Sequence, residues 1–139
     1  MDASDVVLRA ERFAVLRVPP ADASVVLASL ASRSTGFLNA TREDDGLSLV
    51  VDVELANALG HLLARAEREP EPYRVITFVP QMPWTVVGFL AKVTALLAAE
   101  RIPLGAIAAY ARDHVFVAER HAQRALERLR GAIRAGSLP

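Results

Sequence analysis

The chain has 139 residues, 53% apolar and 23% charged, with sixteen basic side chains against sixteen acidic ones and no cysteine. That length holds one domain, or two small ones, with ample apolar material for a core. Charge neutrality removes the electrostatic case for nucleic acid or an anionic membrane as partner, and the lack of cysteine excludes disulfides, thiolate metal sites and thiol nucleophiles.

The opening MDASDVVLRAERF carries acids where a signal peptide carries bases, and no later run is apolar enough to span a bilayer. A soluble, cytoplasmic protein is expected. Residues 1–11 read as an N-terminal tail, either loose or coiled into a short helical turn. Residues 12–18 alternate Phe13, Val15 and Arg17 with Ala14, Leu16 and Val18, the pattern of a strand. Pro19-Pro20 ends it, and Asp22 is placed to cap a helix running through Val25, Val26, Leu27 and Leu30. Residues 32–36 form a break. The chain is then extended over 37–42, turns at Asp45-Gly46, and returns in a strand carrying Leu47, Leu49 and Val51 on one face. Leu55, Leu59, Leu62, Leu63 and Ala66 make the stripe of a second helix, closed by Glu69-Pro70-Glu71-Pro72.

Residues 73–79 form the next strand, and Pro80-Gln81-Met82-Pro83 a turn. Val86, Phe89, Leu90, Val93, Leu96 and Leu97 recur at helical spacing and predict a third helix, which Ile102-Pro103 stops. Strands over 105–111 and 114–117 follow, joined at Arg112-Asp113. Ala122, Ala125, Leu126, Leu129 and Ile133 place a last amphipathic helix, with Gly136 as its stop.

The order is βαββα, written twice. Val25-Val26 answers Val86-Val87 at an offset of 61 residues, and Leu47-Ser48-Leu49-Val50 answers His114-Val115-Phe116-Val117. An internal repeat follows, with repeats at 12–70 and 71–136 lying side by side as antiparallel sheets with helices on one face, an α+β architecture. A doubly wound parallel sheet is the alternative, disfavoured because two strand pairs have connections too short for a parallel crossover.

The stretches Val86-Val87-Gly88-Phe89, Ala108-Ala109-Tyr110 and Asp113-His114-Val115-Phe116-Val117, with the hairpin at residues 41–50, resemble the ACT-like domains of small bacterial proteins related to the amino-acid-sensing regulatory modules of aspartokinases. The resemblance implies two ferredoxin-like ACT units, a homodimer, and an amino acid or similar small ligand in the groove between units. It points to Met82, Pro83, Trp84, Thr85, Val86, Val87 and Gly88 in the turn before the third helix. It also points to Leu104, Gly105, Ala106 and Ile107 at the start of the facing strand. A strand-to-helix turn offers unpaired amides at the positive end of a helix dipole, which suits a carboxylate, and Gly88 permits close approach. Asp113, if it points inward, suits an ammonium group.

Against these stand plainer readings. Asp113-His114 as an acid–base pair conflicts with the opposite facing of adjacent strand residues. His61, His114 and His121 lack a metal-binding spacing. Trp84 reads as a core or interface anchor ahead of a ligand wall. The arginines of residues 120–134 alternate with Glu119 and Glu127 as a solvated helix face does. No nucleotide-cradling loop and no nucleophile elbow are present, so no catalysis, cofactor or metal is expected. The first functional expectation is a non-catalytic, amino-acid-binding regulatory module; the alternative is a structural or protein-interaction domain that dimerises without a ligand.

Overall fold

The computed structural model describes residues 1–34 and 36–138, so the expected break at 32–36 lies partly outside the described residues. The strands are β1 (Val6–Leu8), β2 (Phe13–Val18), β3 (Leu38–Glu43), β4 (Gly46–Asp52), β5 (Glu67–Arg68), β6 (Tyr73–Phe78), β7 (Gly105–Ala108) and β8 (Asp113–Ala118). The helices are α1 (Pro20–Arg33), α2 (Val53–Leu59), α3 (Phe89–Ala99) and α4 (Glu119–Arg134). They divide into a continuous unit, Glu11–Pro72, and a split unit made of Met1–Ala10 with the residues from Tyr73 onward.

In the continuous unit the strands follow the order β3, β4, β2, β5, every neighbour antiparallel. Ala14, Leu16 and Val18 of β2 and Leu47, Leu49 and Val51 of β4 share a face because strand side chains alternate. That face packs Ala23, Val26 and Leu30 of α1 and Ala56 and Leu59 of α2. Asp22, the expected cap of α1, instead forms an ion pair with Arg65, and Pro19 stands at the cap with Pro20 in the first helical position. Proline suits that position, since its missing N–H would have no helical acceptor there.

The hairpin expected at Asp45-Gly46 turns one residue earlier. Glu43 pairs with Gly46 across Asp44-Asp45, and a Cβ on Gly46 would stand 2.8 Å from the Val18 carbonyl oxygen. The second helix is shorter than its apolar stripe suggests. Gly60 takes a φ of 54° at the end of α2, and Leu62 and Leu63 fall in a 3₁₀ turn that leads to the two-residue β5.

The split unit has the order β1, β6, β8, β7, again antiparallel throughout. Val6, Ile76, Phe78, Val115 and Val117 meet Phe89, Val93 and Leu97 of α3 and Ala125, Leu126 and Leu129 of α4. Each fully buried side chain of that size contributes roughly 1.5–3 kcal/mol. Gly136 follows α4 with a φ of 75°, the left-handed stop its position predicts. The ferredoxin-like βαββ repeat is thus present twice, and each unit also holds a further strand after its second helix or from elsewhere in the chain.

That further strand corrects the expected tail. Asp2 caps a 3₁₀ turn at Ala3–Asp5, and Val6, Val7 and Leu8 pair with Phe78, Thr77 and Ile76. The pairing continues at both ends, where Val79 N–H donates to Asp5 O at 2.8 Å and Arg9 N–H donates to Val75 O at 2.9 Å. Arg130 of α4 secures the strand from the helix layer: its Nε and Nη2 both donate to Val6 O, at 3.1 and 2.9 Å.

A charge-assisted pair of hydrogen bonds to one partly buried carbonyl contributes about 1.5–3 kcal/mol. Arg130→Met keeps the apolar stem and removes both donors, so urea unfolding is expected to show a lower midpoint by that free energy with an unchanged slope. An unchanged midpoint would mean that the guanidinium adds nothing to holding β1.

Candidate functional site

The two units differ most between their first strand and first helix. Pro19 alone separates β2 from α1, whereas residues 79–88 separate β6 from α3. This longer loop is stitched to the β7–β8 turn. Met82 N–H donates to Ala111 O at 3.1 Å, and Arg112 Nε–H donates to Val79 O at 3.0 Å. The turn itself is closed by Ala109 N–H on Arg112 O at 3.1 Å.

Between loop and turn lies a cleft of about 310 Å³. Met82, Pro83, Trp84, Val86 and Gly88 line it from the loop, and Phe89, Leu90 and Ala91 from the first turn of α3. Ala108, Ala109, Tyr110, Arg112 and Asp113 form the opposite wall. Every lining residue belongs to the split unit. Trp84 and Tyr110 meet edge to face, with ring centroids 6.3 Å apart, and are 68% and 80% exposed. The tryptophan is therefore not a core anchor; it stands at the rim.

Gly88 occupies the N-cap of α3 with a φ of 86°, in the left-handed region, and an added Cβ would meet nothing within 4 Å. Val86 and Val87, expected to open the helix, precede this glycine and are 47% and 94% exposed. They have no counterpart in the buried Val26 of α1, so the expected alignment of the two Val-Val pairs gives way to an inserted loop. No side chain caps α3, and its first helical bond runs from Lys92 N–H to Gly88 O. The amides of Phe89, Leu90 and Ala91 are consequently left without helical acceptors at the positive end of the dipole.

Charge is sparse in the cleft. Among the described residues the Nη atoms of Arg112 have no acceptor and the carboxylate of Asp113 has no donor. Burial pushes the Asp113 carboxyl above its ordinary range.

Leu104, Gly105, Ala106 and Ile107, expected on the facing strand, do not line this cleft. Because β7 and β8 are antiparallel, Gly105 pairs with Phe116 and Ile107 with His114, on the sheet face away from the helices. A Cβ on Gly105 would come 2.0 Å from Phe116 Cζ, so the phenyl ring occupies the space above that glycine. Ala106 faces the helix side but sits short of the cleft, and Leu104 packs against the core. Residues 104–107 are thus apart from Met82–Gly88, and the end of β7 with the following turn takes their place. Thr85 and Val87 belong to the loop without lining the cleft. The antiparallel register was the available signal: the chain leaving β6 must meet the end of β7, not its start.

His114 turns to the other face from Asp113. Its Nδ1 lies 2.8 Å from Thr77 Oγ1, and burial, then Arg9 and Arg112, lower its pKa. The two residues form no acid–base pair. Among the described residues no group of three His, Asp or Glu side chains is placed to hold a metal ion, and no helix is long and apolar enough to cross a membrane.

Residues 68–131 match the model of a family described as ACT domain. No curated protein matches the chain at a significant level. Among solved structures, a Vibrio cholerae protein of unknown function is 29% identical, with a TM-score of 0.67 over 89% of this chain and 85% of that one. The ligand-free regulatory subunit of aspartate kinase from Thermus thermophilus is 18% identical, with a TM-score of 0.64 over 91% and 95% of the two chains. Aspartate kinase from Clostridium acetobutylicum has a TM-score of 0.73 at 14% identity, over 94% of this chain and 34% of that one. The last two likenesses are of fold.

Two consequences follow for stability. Asp113 has a raised folded pKa, so its ionised form costs stability above that pKa and the cost disappears as pH falls through it. Asp113→Asn is expected to melt above the parent at pH 7, with the gap closing as pH falls through the raised pKa of the carboxyl, in a thermal melt series. Gly105→Ala must displace the Phe116 ring and is expected to cost about 1–3 kcal/mol. In a Phe116→Ala background the same change should cost under about 0.5 kcal/mol, measured as a double-mutant cycle in urea.

Proposed function

Because residues 68–131 match the model of the ACT domain family, we propose that this chain is a non-catalytic regulatory module that binds a free amino acid in the cleft between loop 79–88 and the β7–β8 turn. The observation that carries the reading is the pairing of opposite, unpartnered charges at one small apolar cleft. Among the described residues Arg112 has two Nη atoms without an acceptor, and Asp113 a carboxylate without a donor.

An α-amino acid presents a carboxylate and an ammonium on adjacent atoms. The carboxylate matches the Arg112 guanidinium and the unpaired amides that open α3, where charge-assisted bonds and the helix dipole act together. The ammonium matches Asp113, whose partly desolvated carboxylate gains most from a cation. The volume of about 310 Å³ lies at the lower end of the roughly 300–1,000 Å³ typical of small-molecule sites, which suits one amino acid. No group convergent on the cleft combines a nucleophile with a base, which supports binding without turnover.

Regulation would act through the two hydrogen bonds that join loop and turn. Ligand bound between them shifts the population in which both walls are in place, and with it the apolar surface shown to another chain. The exposure of Val87 and Trp84 favours such a contact, in a homodimer or with a regulated partner. It also favours a second reading, an interaction domain whose partner covers the cleft with no ligand inside.

A thermal-shift and calorimetric panel of the twenty amino acids on the full chain separates the two. A ligand at one hundred times its Kd stabilises the native state by about 2.7 kcal/mol, a shift of several degrees. Binding by at least one amino acid that is lost in both Arg112→Ala and Asp113→Asn is expected. Silence across the panel, together with a concentration-dependent dimer, would select the interaction domain.

A further inference from the structure

We infer that the ligand of this cleft is an amino acid with a large apolar side chain, aromatic in preference to aliphatic, and that Trp84 and Tyr110 are the residues that select it. The inference rests on the reading of the cleft as an amino-acid site and adds the side-chain class.

The argument is one of elimination and fit. The cleft has one cationic and one anionic side chain among its lining residues, Arg112 and Asp113. If these hold the α-carboxylate and α-ammonium, no lining side chain remains to neutralise a charged ligand side chain. Carrying an aspartate, lysine or arginine side chain into such a site would leave a charge without a partner, at a cost of several kcal/mol unless it reaches water. The remaining lining carries no charged side chain, and its larger groups include Met82, Pro83, Trp84, Val86, Leu90 and Tyr110.

The two rings account for the aromatic preference. Each is more than two-thirds exposed, and they contact each other edge to face at 6.3 Å, which leaves ring surface open to a third ring. Aromatic pairs add about 0.5–1.5 kcal/mol beyond the area they bury, and Met82 adds sulfur contacts of similar size. Exposure of this kind is costly to leave uncovered in water, and both rings lie on segments tied to one another through Met82 N–H to Ala111 O. That bond keeps the two segments that carry the rings side by side. Small polar amino acids would gain the charge contacts but cover none of this surface.

The experiment uses the full chain and two readouts. Calorimetry compares phenylalanine, tyrosine, tryptophan, leucine and methionine with alanine, threonine, aspartate and lysine. Fluorescence follows Trp84, the only tryptophan in the chain, so for a ligand without an indole any spectral change reports directly on the cleft. Expected are a Kd for phenylalanine or tyrosine at least tenfold below those for alanine, threonine, aspartate and lysine, and a change in Trp84 emission on binding. Trp84→Ala should weaken phenylalanine binding about three- to tenfold, Trp84→Phe should restore most of it, and alanine binding should be unaffected by either. Both variants alter an exposed residue, and urea unfolding checks that each is folded.

Tightest binding by aspartate, lysine or threonine, with Arg112→Ala abolishing it, would overturn the side-chain assignment and leave the amino-acid site standing. A phenylalanine affinity untouched by Trp84→Ala would also overturn it. Absence of binding by every member of the panel would overturn both.

Discussion

The edge of β6 is the constraint from which the rest of the split unit follows. A strand at the middle of a sheet must pair on both sides, because buried N–H and C=O groups without partners are costly. β8 supplies one side through the βαββ order. On the other side, where the continuous unit uses its own β5, the split unit takes up residues 6–8 from before the inserted segment. Val6 then completes the core beneath α4, and Arg130 fixes its carbonyl from above. The two units are copies in strand order while differing in where their fourth strand comes from.

The same antiparallel geometry decides where chemistry can collect. A strand leaving the sheet into a helix meets the end of the neighbouring hairpin, so loop 79–88 and the turn after β7 come together by direction of travel alone. In the continuous unit Pro19 passes straight into α1, so no loop of comparable length stands at that place. The longer loop gives the cleft of the split unit one wall, and its polar equipment, Arg112 and Asp113, comes from the opposing turn.

Much of this was legible in the letters, and the losses have physical causes. The stripe from Ala122 to Ile133 lies within α4, because a long amphipathic period admits no other reading. β2, β4, β6 and β8 were also legible, since each alternates or is uniformly apolar between turn residues. β5 was not: Glu67 and Arg68 are exposed, and two polar residues carry no period. β1 was lost for a related reason, since a three-residue strand joined to its partner across some seventy positions leaves no local signature. The start of α3 was placed too early because Val86 and Val87 extend its apolar pattern, and periodicity does not distinguish an apolar loop from an apolar helical turn. Of the residues named for the loop side, Met82, Pro83, Trp84, Val86 and Gly88 line the cleft, while Thr85 and Val87 do not. The residues named for the strand side, 104–107, do not line this cleft, because the register that pairs Ala108 with Asp113 brings the other end of β7 to it, and register is invisible to composition.

The split of one unit around the other has a bearing on how the molecule is made. During synthesis, residues 6–8 leave the ribosome first, yet the strand they pair with emerges only after the whole of Glu11–Pro72. The inserted unit has all its strands in one contiguous segment and can close while translation is still in progress. The unit that carries the cleft closes last, after a loop spanning the finished insert, with the loop-closure entropy and slow folding that long-range pairing entails. Until then β1 is a short, unpaired apolar segment on a nascent chain, and the cleft forms only after the whole of the inserted unit has been made.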